Sequence, residues 1–178
     1  MPTCVALLRG INVGGNKVIK MADLAKAFTS LGFANVRTLL ASGNVVFEAS
    51  NAKAATSSVI EAALEKAFGK KIGVIVRTGE ALQAMVKADP FKGIKVTPET
   101  RLYVTFLGPA SSSKLKLPYE SPDRAFRILC LADGALYSVL TLTPGKGTVD
   151  AMDVLEKEYG KQVTTRNWNT VQKITALI

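Results

Sequence analysis

Apolar and polar positions along residues 1–78 follow an order that predicts four strands and two helices. The predicted elements are a strand over 3–9, a helix over 21–32, strands over 36–40 and 44–49, a helix over 53–69 and a strand over 72–78. Both helical segments carry an apolar stripe at spacings of three and four residues, and both end at a glycine. The stripes are Leu24, Ala27, Phe28 and Leu31 in the first, and Val59, Ile60, Ala63, Leu64 and Ala67 in the second. The order strand, helix, strand, strand, helix, strand is that of a ferredoxin-like unit.

Residues 79–178 repeat this order less regularly. After a linking helix over 79–90, the predicted elements are a strand over 101–108, two strands flanking Asp133–Gly134, a helix over 149–160, a short edge strand over 161–165 and a final helix over 167–178. Residues 109–123 stand where the first helix should be, and their prolines and serines allow one short helical turn at most. We therefore predict an α+β protein of two ferredoxin-like halves, 1–78 and 79–178, packed into one body with an extra C-terminal helix.

The composition is that of a folded globular protein, with 48% apolar and 21% charged residues. Histidine is absent, which excludes Ser-His-Asp and Cys-His catalysis and histidine metal ligands from this chain. Cys4 and Cys130 lie in apolar runs, so we expect both to pack as small hydrophobic residues in a reduced, cytoplasmic protein. No run approaches the ~20 apolar residues of a membrane span, and we expect no secretory leader.

The charge balance favours anionic partners. Lys and Arg total 23 against 14 Asp and Glu, a formal net charge of +9. Nucleic acid, nucleotides and phosphorylated metabolites are the partner classes that such a balance attracts. The same excess of lysine also serves solubility, so charge alone does not choose among these roles.

The loop after the first strand is the first candidate binding site. In a ferredoxin-like unit the first two strands run the same way, so this loop, the start of the first helix and the 41–43 hairpin share one end of the sheet. The candidate ligand-binding residues there are Arg9, Gly10, Asn12, Gly14, Gly15, Asn16, Lys17, Ser42, Gly43 and Asn44. Lys17 and Lys20 oppose the dipole of the helix that follows, at a cost of ~0.3–1 kcal/mol each, and a bound anion would reverse that cost. The alternative is that both lysines extend into water.

A second, smaller group lies in the C-terminal half. Residues 143–148 leave a strand and enter a helix, and we expect Lys146 to share one end of the second sheet with Arg166 and Asn167. The string "GKGT" is not a Walker loop, because the upstream glycine of that motif is missing. We expect Trp168 to be a core or lid aromatic. The carboxylates of residues 150–158 fall at helical spacings typical of a solvated face, so we predict no metal site and no cofactor.

Three strings carry a resemblance to a known family. They are "LRGINVGG" from Leu8, "SGNVVF" from Ser42 and "TTRNWNT" from Thr164. With them the chain resembles, over essentially its full length, the domain-of-unknown-function 1697 family of uncharacterised bacterial proteins. The resemblance implies a two-part α+β fold of ferredoxin-like halves and supplies no activity.

The residues favour a protein that binds a small anionic or phosphorylated ligand, nucleotide-like in size, at the first loop. In this hypothesis Arg9, Lys17 and the Gly14–Gly15 backbone hold the anion, and Ser42 and Asn44 orient it. The alternatives are nucleic-acid binding across the basic surface, an enzyme whose base is Asp23, Glu48, a lysine or Tyr103, and a protein–protein adaptor. No feature of the sequence specifies a reaction or an oligomeric state.

Overall fold

The computed structural model describes residues 1–15, 17–51, 53–145 and 149–178, and of Val149 and Asp150 only the backbone. The elements are β1 (Thr3–Leu8), α1 (Met21–Ser30), β2 (Ala34–Leu39), β3 (Asn44–Glu48), α2 (Ser57–Phe68), β4 (Val74–Thr78), α3 (Gly79–Ala88), β5 (Thr100–Leu107), β6 (Tyr119–Glu120), β7 (Phe126–Ala132), β8 (Ala135–Thr141), α4 (Val149–Tyr159), β9 (Val163–Asn167) and α5 (Trp168–Thr175). They form two antiparallel sheets of four and five strands, and the predicted α+β class with two ferredoxin-like halves and a C-terminal helix is confirmed.

The first sheet has the strand order β2-β3-β1-β4, and every neighbouring pair in it is antiparallel. Because β3 is antiparallel to both β1 and β2, these two strands run in the same direction, as the ferredoxin-like pattern requires. One face of the sheet carries α1 and α2, which bury Leu24, Phe28, Ile60 and Leu64 against it. The helices therefore form where the apolar stripe recurs at three- and four-residue spacing.

The second sheet repeats the strand order of the first, but it has one additional edge strand and no described counterpart of α1. Its order is β6-β7-β8-β5-β9, so β7, β8, β5 and β9 correspond to β2, β3, β1 and β4. The β7–β8 hairpin turns at Asp133 and Gly134, which both have positive φ, as a tight Asp-Gly turn demands. No helix is described between β5 and β7; the chain there instead adds the two-residue edge strand β6.

The contacts of the chain divide it into two compact units, Met1–Lys87 with Gln172–Ile178, and Ala88–Val171. The sequence pattern placed the boundary one helix earlier, at residue 78. In the structure α3 is grouped with the first unit, and its first residue lies close to the start of β1: a Cβ on Gly79 would be 3.3 Å from the Cβ of Thr3. The final helix α5 crosses the division, ending in the first unit.

Two local expectations differ from the structure. Val59 lies in α2 but is exposed, because the buried face of this helix is set by Ile60 and Leu64. Cys130 is exposed, whereas Cys4 is buried as expected. In the pairing of β7 with β8, Ile128 faces Ser138 but Cys130 faces Tyr137, so one extra residue in β7 interrupts the in–out alternation. The apolar run around Cys130 therefore ends in solvent.

The buried hydroxyl of Ser138 gives a testable prediction about the stability of the second compact unit. Its side chain is fully buried in β8, and its Oγ has no hydrogen-bond partner among the described residues. An unsatisfied buried hydroxyl costs free energy, so Ser138→Ala is expected to raise the free energy of unfolding by about 1 kcal/mol in urea titrations. In the contrasting variant Thr105→Val, the hydroxyl removed is bonded to the Thr165 hydroxyl at 2.8 Å, and a loss of about 1 kcal/mol is expected. Equal losses in both variants would contradict the assignment.

Across the part of the chain that the structure describes, every helix is too short or too polar to cross a lipid bilayer.

Candidate functional site

Three connections meet at one end of the first sheet. They are residues 9–20 after β1, 40–43 between β2 and β3, and 69–73 before β4. Leu8 faces Val74 and Leu39 faces Asn44 in the strand register, which places the three connections side by side. Two backbone bonds tie them to the end of β1: Leu8 N–H donates to the Gly43 carbonyl at 2.9 Å, and Arg9 N–H donates to the Gly73 carbonyl at 2.8 Å.

Asn12 holds the long first loop in shape. Its side-chain Nδ2 donates to the carbonyl oxygens of Ile19 at 3.0 Å and Ala41 at 2.8 Å, and its Oδ1 accepts from Ile19 N–H at 2.7 Å. Its backbone N–H donates to the Lys17 carbonyl at 3.2 Å, closing the loop on itself. Asn12 has φ +54°, a left-handed conformation that asparagine tolerates better than most residues. One half-buried side chain thus joins both ends of the first loop to the neighbouring hairpin.

Gly43 allows the hairpin to approach the first loop. A Cβ at this position would lie 2.7 Å from Cδ1 of Ile11 and 2.9 Å from Cβ of Leu8, and its φ is +82°. Only glycine satisfies both the close contact and the left-handed backbone without displacement. The fully buried Ile11 side chain therefore packs the first loop against the hairpin.

Ser42 and Asn44 both lie near this end of the sheet, but only Ser42 is accessible to a ligand. Asn44 is fully buried, and its Nδ2 donates to the Leu39 carbonyl at 2.7 Å and to the Ser42 hydroxyl at 3.1 Å. These bonds stabilise the hairpin. A fully buried amide presents no atom to a ligand at the surface, whereas Ser42 is exposed.

The exposed part of this sheet end is strongly basic. Its three connections contain five basic residues and no Asp or Glu; they are Arg9, Lys17, Lys20, Lys70 and Lys71. Lys20 is the N-cap of α1 and makes no side-chain capping bond, so the helix begins at a cation rather than at the usual Ser, Thr, Asp or Asn. The one acidic residue in the first turn, Asp23, lies 3.9 Å from the ammonium group of Lys26.

The backbone beside these cations is open. Gly10, Gly14 and Gly15 are exposed and have positive φ, and a Cβ at any of the three would meet nothing within 4 Å. Arg9 lies against Gly73, whose added Cβ would be 3.6 Å from the Arg9 Cβ. The predicted residues Arg9, Gly10, Gly14, Gly15 and Lys17 thus share an accessible surface, while Asn16 lies outside the described residues.

The second predicted group is only partly described. Lys146 lies outside the described residues. Arg166 is buried in β9, where its Nη1 donates to the Thr164 hydroxyl at 2.8 Å and to the Thr165 carbonyl at 2.9 Å. Burial lowers the pKa of Arg166 to about 10, which still leaves it cationic at neutral pH. Asn167 ends β9 with an exposed side chain, and Trp168 packs as a core aromatic, its ring edge-on to Phe91 at 5.3 Å.

Comparison with known proteins places the chain in a family. The sequence profile of the family described as "Protein of unknown function (DUF1697)" matches residues 1–137. The chain belongs to the DUF1697 family. The match covers all three connections, 9–20, 40–43 and 69–73, and ends within β8. No curated protein matches this DUF1697 sequence significantly.

A solved structure shares the fold of this DUF1697 protein over its length. The conserved bacterial protein SP0830 from Streptococcus pneumoniae covers 99% of this chain and is itself covered to 98%, with a TM-score of 0.71 and 18% sequence identity. At that identity the likeness concerns the fold alone. An unknown protein from Galdieria sulphuraria, 15% identical, covers 93% of this chain and is covered to 96%, but its TM-score of 0.26 supports no structural argument.

Lys70 and Lys71 belong to the basic end of this DUF1697 sheet and were missed by reasoning from the first loop alone. The signal for them was present in the sequence. Because β4 is antiparallel to β1, the connection that enters β4 must lie where β1 ends, and that connection reads "GKKIG".

Proposed function

We propose that this DUF1697 protein binds a small anionic or phosphorylated ligand, nucleotide-like in size, at the basic end of the first sheet. The observation that carries the proposal is the gathering of five cations in three neighbouring connections that contain no Asp or Glu, beside a helix start at which Lys20 makes no capping bond. Two carboxylates border this surface: Asp23 in the first turn of α1, and Glu61, which accepts from Val74 N–H at 2.8 Å. Arg9, Lys17, Lys20, Lys70 and Lys71 supply charge. The open backbone of Gly14 and Gly15 lets a phosphate-sized group approach closely, as in other glycine-rich anion sites.

The arrangement of charges supports an anion rather than simple solvation. The start of a helix carries about half a positive charge, and cations placed there raise the local potential at a cost of ~0.3–1 kcal/mol each. An anion at this point offsets both the helix dipole and the lysines. Asn12 and Gly43 hold the loop in place before any ligand arrives, which reduces the ordering entropy that binding must overcome.

Asn44 and Arg166 are not part of the proposed contact surface, because both side chains are buried. In this proposal Asn44 shapes the hairpin and Ser42 remains the accessible polar group beside it.

The test is a calorimetric titration of the protein with inorganic pyrophosphate, AMP and ADP at low and moderate salt. Lys17→Ala is expected to weaken binding of the best of these ligands about tenfold, since one charge-assisted hydrogen bond contributes roughly 1.5–3 kcal/mol. Lys70→Ala is expected to weaken it by a smaller factor. The matched control Lys95→Ala removes an exposed lysine of the other compact unit and is expected to leave the affinity unchanged.

Two results would count against the proposal. Equal effects of Lys17→Ala and Lys95→Ala would mean that only the net charge of +9 acts. Binding of every polyanion, including duplex DNA and RNA, with a steep loss of affinity as salt rises, would favour the nucleic-acid alternative instead.

A further inference from the structure

The second compact unit covers its sheet differently from the first. In the first unit, the end of the sheet where β2 begins and β3 ends is filled by three aromatic rings, Phe28 of α1, Phe33 and Phe47, with centroids 4.4 to 6.0 Å apart. In the second unit no helix corresponding to α1 is described, and an extended segment packs Leu115, Leu117 and Tyr119 on the core instead. An extended segment covers less of a sheet than a helix of 10 to 12 Å diameter.

A cavity of about 370 Å³ lies at the corresponding end of the second sheet, where β7 begins and β8 ends. Its walls come from the segment before β7, from the end of β8 and from the first turns of α4. The side chains that define it are Tyr119, Ala125, Phe126, Leu140, Ala151 and Val154. This volume falls in the roughly 300–1,000 Å³ range of small-molecule sites.

The chemistry of the walls selects the class of ligand. Most of the lining side chains are apolar or aromatic, and Asp123 is the only charged residue among the described residues that line the cavity. The nearby Arg124 is paired with Glu120, its Nε lying 3.5 Å from a Glu120 carboxylate oxygen. Asp123 is held in place, because its Oδ1 accepts from the Ser121 hydroxyl at 2.7 Å and from Ala125 N–H at 3.1 Å. A negatively charged ligand would meet a fixed carboxylate here and no cation among the described lining residues, the opposite of the basic end of the first sheet.

We propose that this cavity binds a small, predominantly apolar molecule that carries no negative charge. The site is separate from the anion site proposed above, since every residue that lines it belongs to the second compact unit. Tyr119 and Phe126 offer ring surfaces to an aromatic or branched aliphatic ligand, and the lining residues Ser121, Thr141 and Thr143 offer hydrogen bonds to a hydroxyl or amine.

The experiment uses two fluorescent probes that share one skeleton, neutral N-phenyl-1-naphthylamine and its sulfonated analogue 8-anilinonaphthalene-1-sulfonate. The neutral probe is expected to bind one per chain, saturably, and to shift the amide NMR signals of residues 119–126 and 140–143. At this site the sulfonate is expected to bind at least tenfold more weakly than the neutral probe. Asp123→Asn is expected to reduce this difference in affinity. The asparagine keeps an oxygen acceptor for Ser121 and Ala125 while removing the charge.

Filling the cavity provides the decisive comparison. Val154→Phe places a larger side chain in the cavity from α4 and is expected to weaken binding of the neutral probe at least tenfold. Val59→Phe makes the same change on an exposed helical position of the first unit and is expected to have no effect beyond twofold. If the amide spectrum shows that Val154→Phe does not fold, Ala125→Leu fills the cavity from the opposite wall and decides the question.

The proposal is overturned if the neutral probe does not bind saturably, or if its NMR shifts lie outside residues 119–154. It is also overturned if both valine variants bind the probe equally, because the cavity would then not be the site. Equal affinity of the two probes at these residues would overturn the inference that the ligand carries no negative charge.

Discussion

Gly43→Ala is expected to lower the free energy of unfolding by about 2–5 kcal/mol. The added methyl would lie 2.7 Å from Ile11 Cδ1 and 2.9 Å from Leu8 Cβ, and both side chains are essentially fully buried and have little room to move. Overpacking of this kind costs ~1–3 kcal/mol, and a left-handed alanine adds ~1–2 kcal/mol. Urea-induced unfolding followed by circular dichroism measures the loss.

Gly32→Ala is the matched control for this variant. Gly32 has the same φ of +82°, but a Cβ there would meet nothing within 4 Å. Only the backbone term should remain, so a loss of ~1–2 kcal/mol is expected. The difference between the two glycines isolates the close approach of the hairpin to the first loop, and equal losses would show that the contact has no energetic weight.

Asn12→Ala is expected to lower the free energy of unfolding by about 2–4 kcal/mol. The change removes three side-chain hydrogen bonds, of 2.7 to 3.0 Å, each worth ~0.5–1.5 kcal/mol. It also leaves alanine at φ +54°, which asparagine tolerates better. Because Ile19 N–H loses its acceptor, its hydrogen exchange should become faster than in the parent protein. Hydrogen exchange followed by NMR measures both this rate and the free energy of unfolding.

Asn35→Ala serves as the control for the loss of Asn12. Asn35 also has a left-handed backbone, with φ +49°, but its side chain is exposed. A cost of about 1 kcal/mol or less is expected. If Asn12→Ala lowers the free energy of unfolding no more than Asn35→Ala does, the hydrogen bonds of Asn12 between the first loop and the hairpin do not stabilise this end of the sheet. Retention of full ligand affinity in Asn12→Ala would separately show that the shape of the loop is unimportant for binding.

Hydrophobic periodicity and turn signals predicted the elements and their order, except for the two-residue edge strand β6. The stripe of Leu24 and Phe28 in α1 and the Asp133–Gly134 turn appear in the structure as predicted, because each is specified by residues adjacent in sequence. Predictions failed where a neighbouring strand or helix decided the outcome. Val59 fits an apolar helix but faces solvent, and the irregular pairing of β7 with β8 leaves Cys130 exposed.

The sequence was sufficient to predict that the first loop and the 40–43 hairpin lie at one end of the sheet, but not which polar side chains there are accessible. Topology alone brings the first loop and the 40–43 hairpin together, and the same rule applied to β4 would have added Lys70 and Lys71. The burial of Asn44 and of Arg166 was not readable from the sequence. A polar residue beside a glycine turn or at a strand end has the same local signature whether it faces a ligand or hydrogen-bonds the backbone.

The sequence by itself determined the repeated order of strands and helices, the absence of imidazole chemistry and the basic charge of one sheet end, since these depend on local pattern and composition. Tertiary structure alone decided which polar side chains are buried, that Asn12 bridges two connections, and that a cavity of about 370 Å³ lies where β7 begins and β8 ends. These features depend on distances between residues far apart in the chain. Packing sets such distances, and local propensity does not.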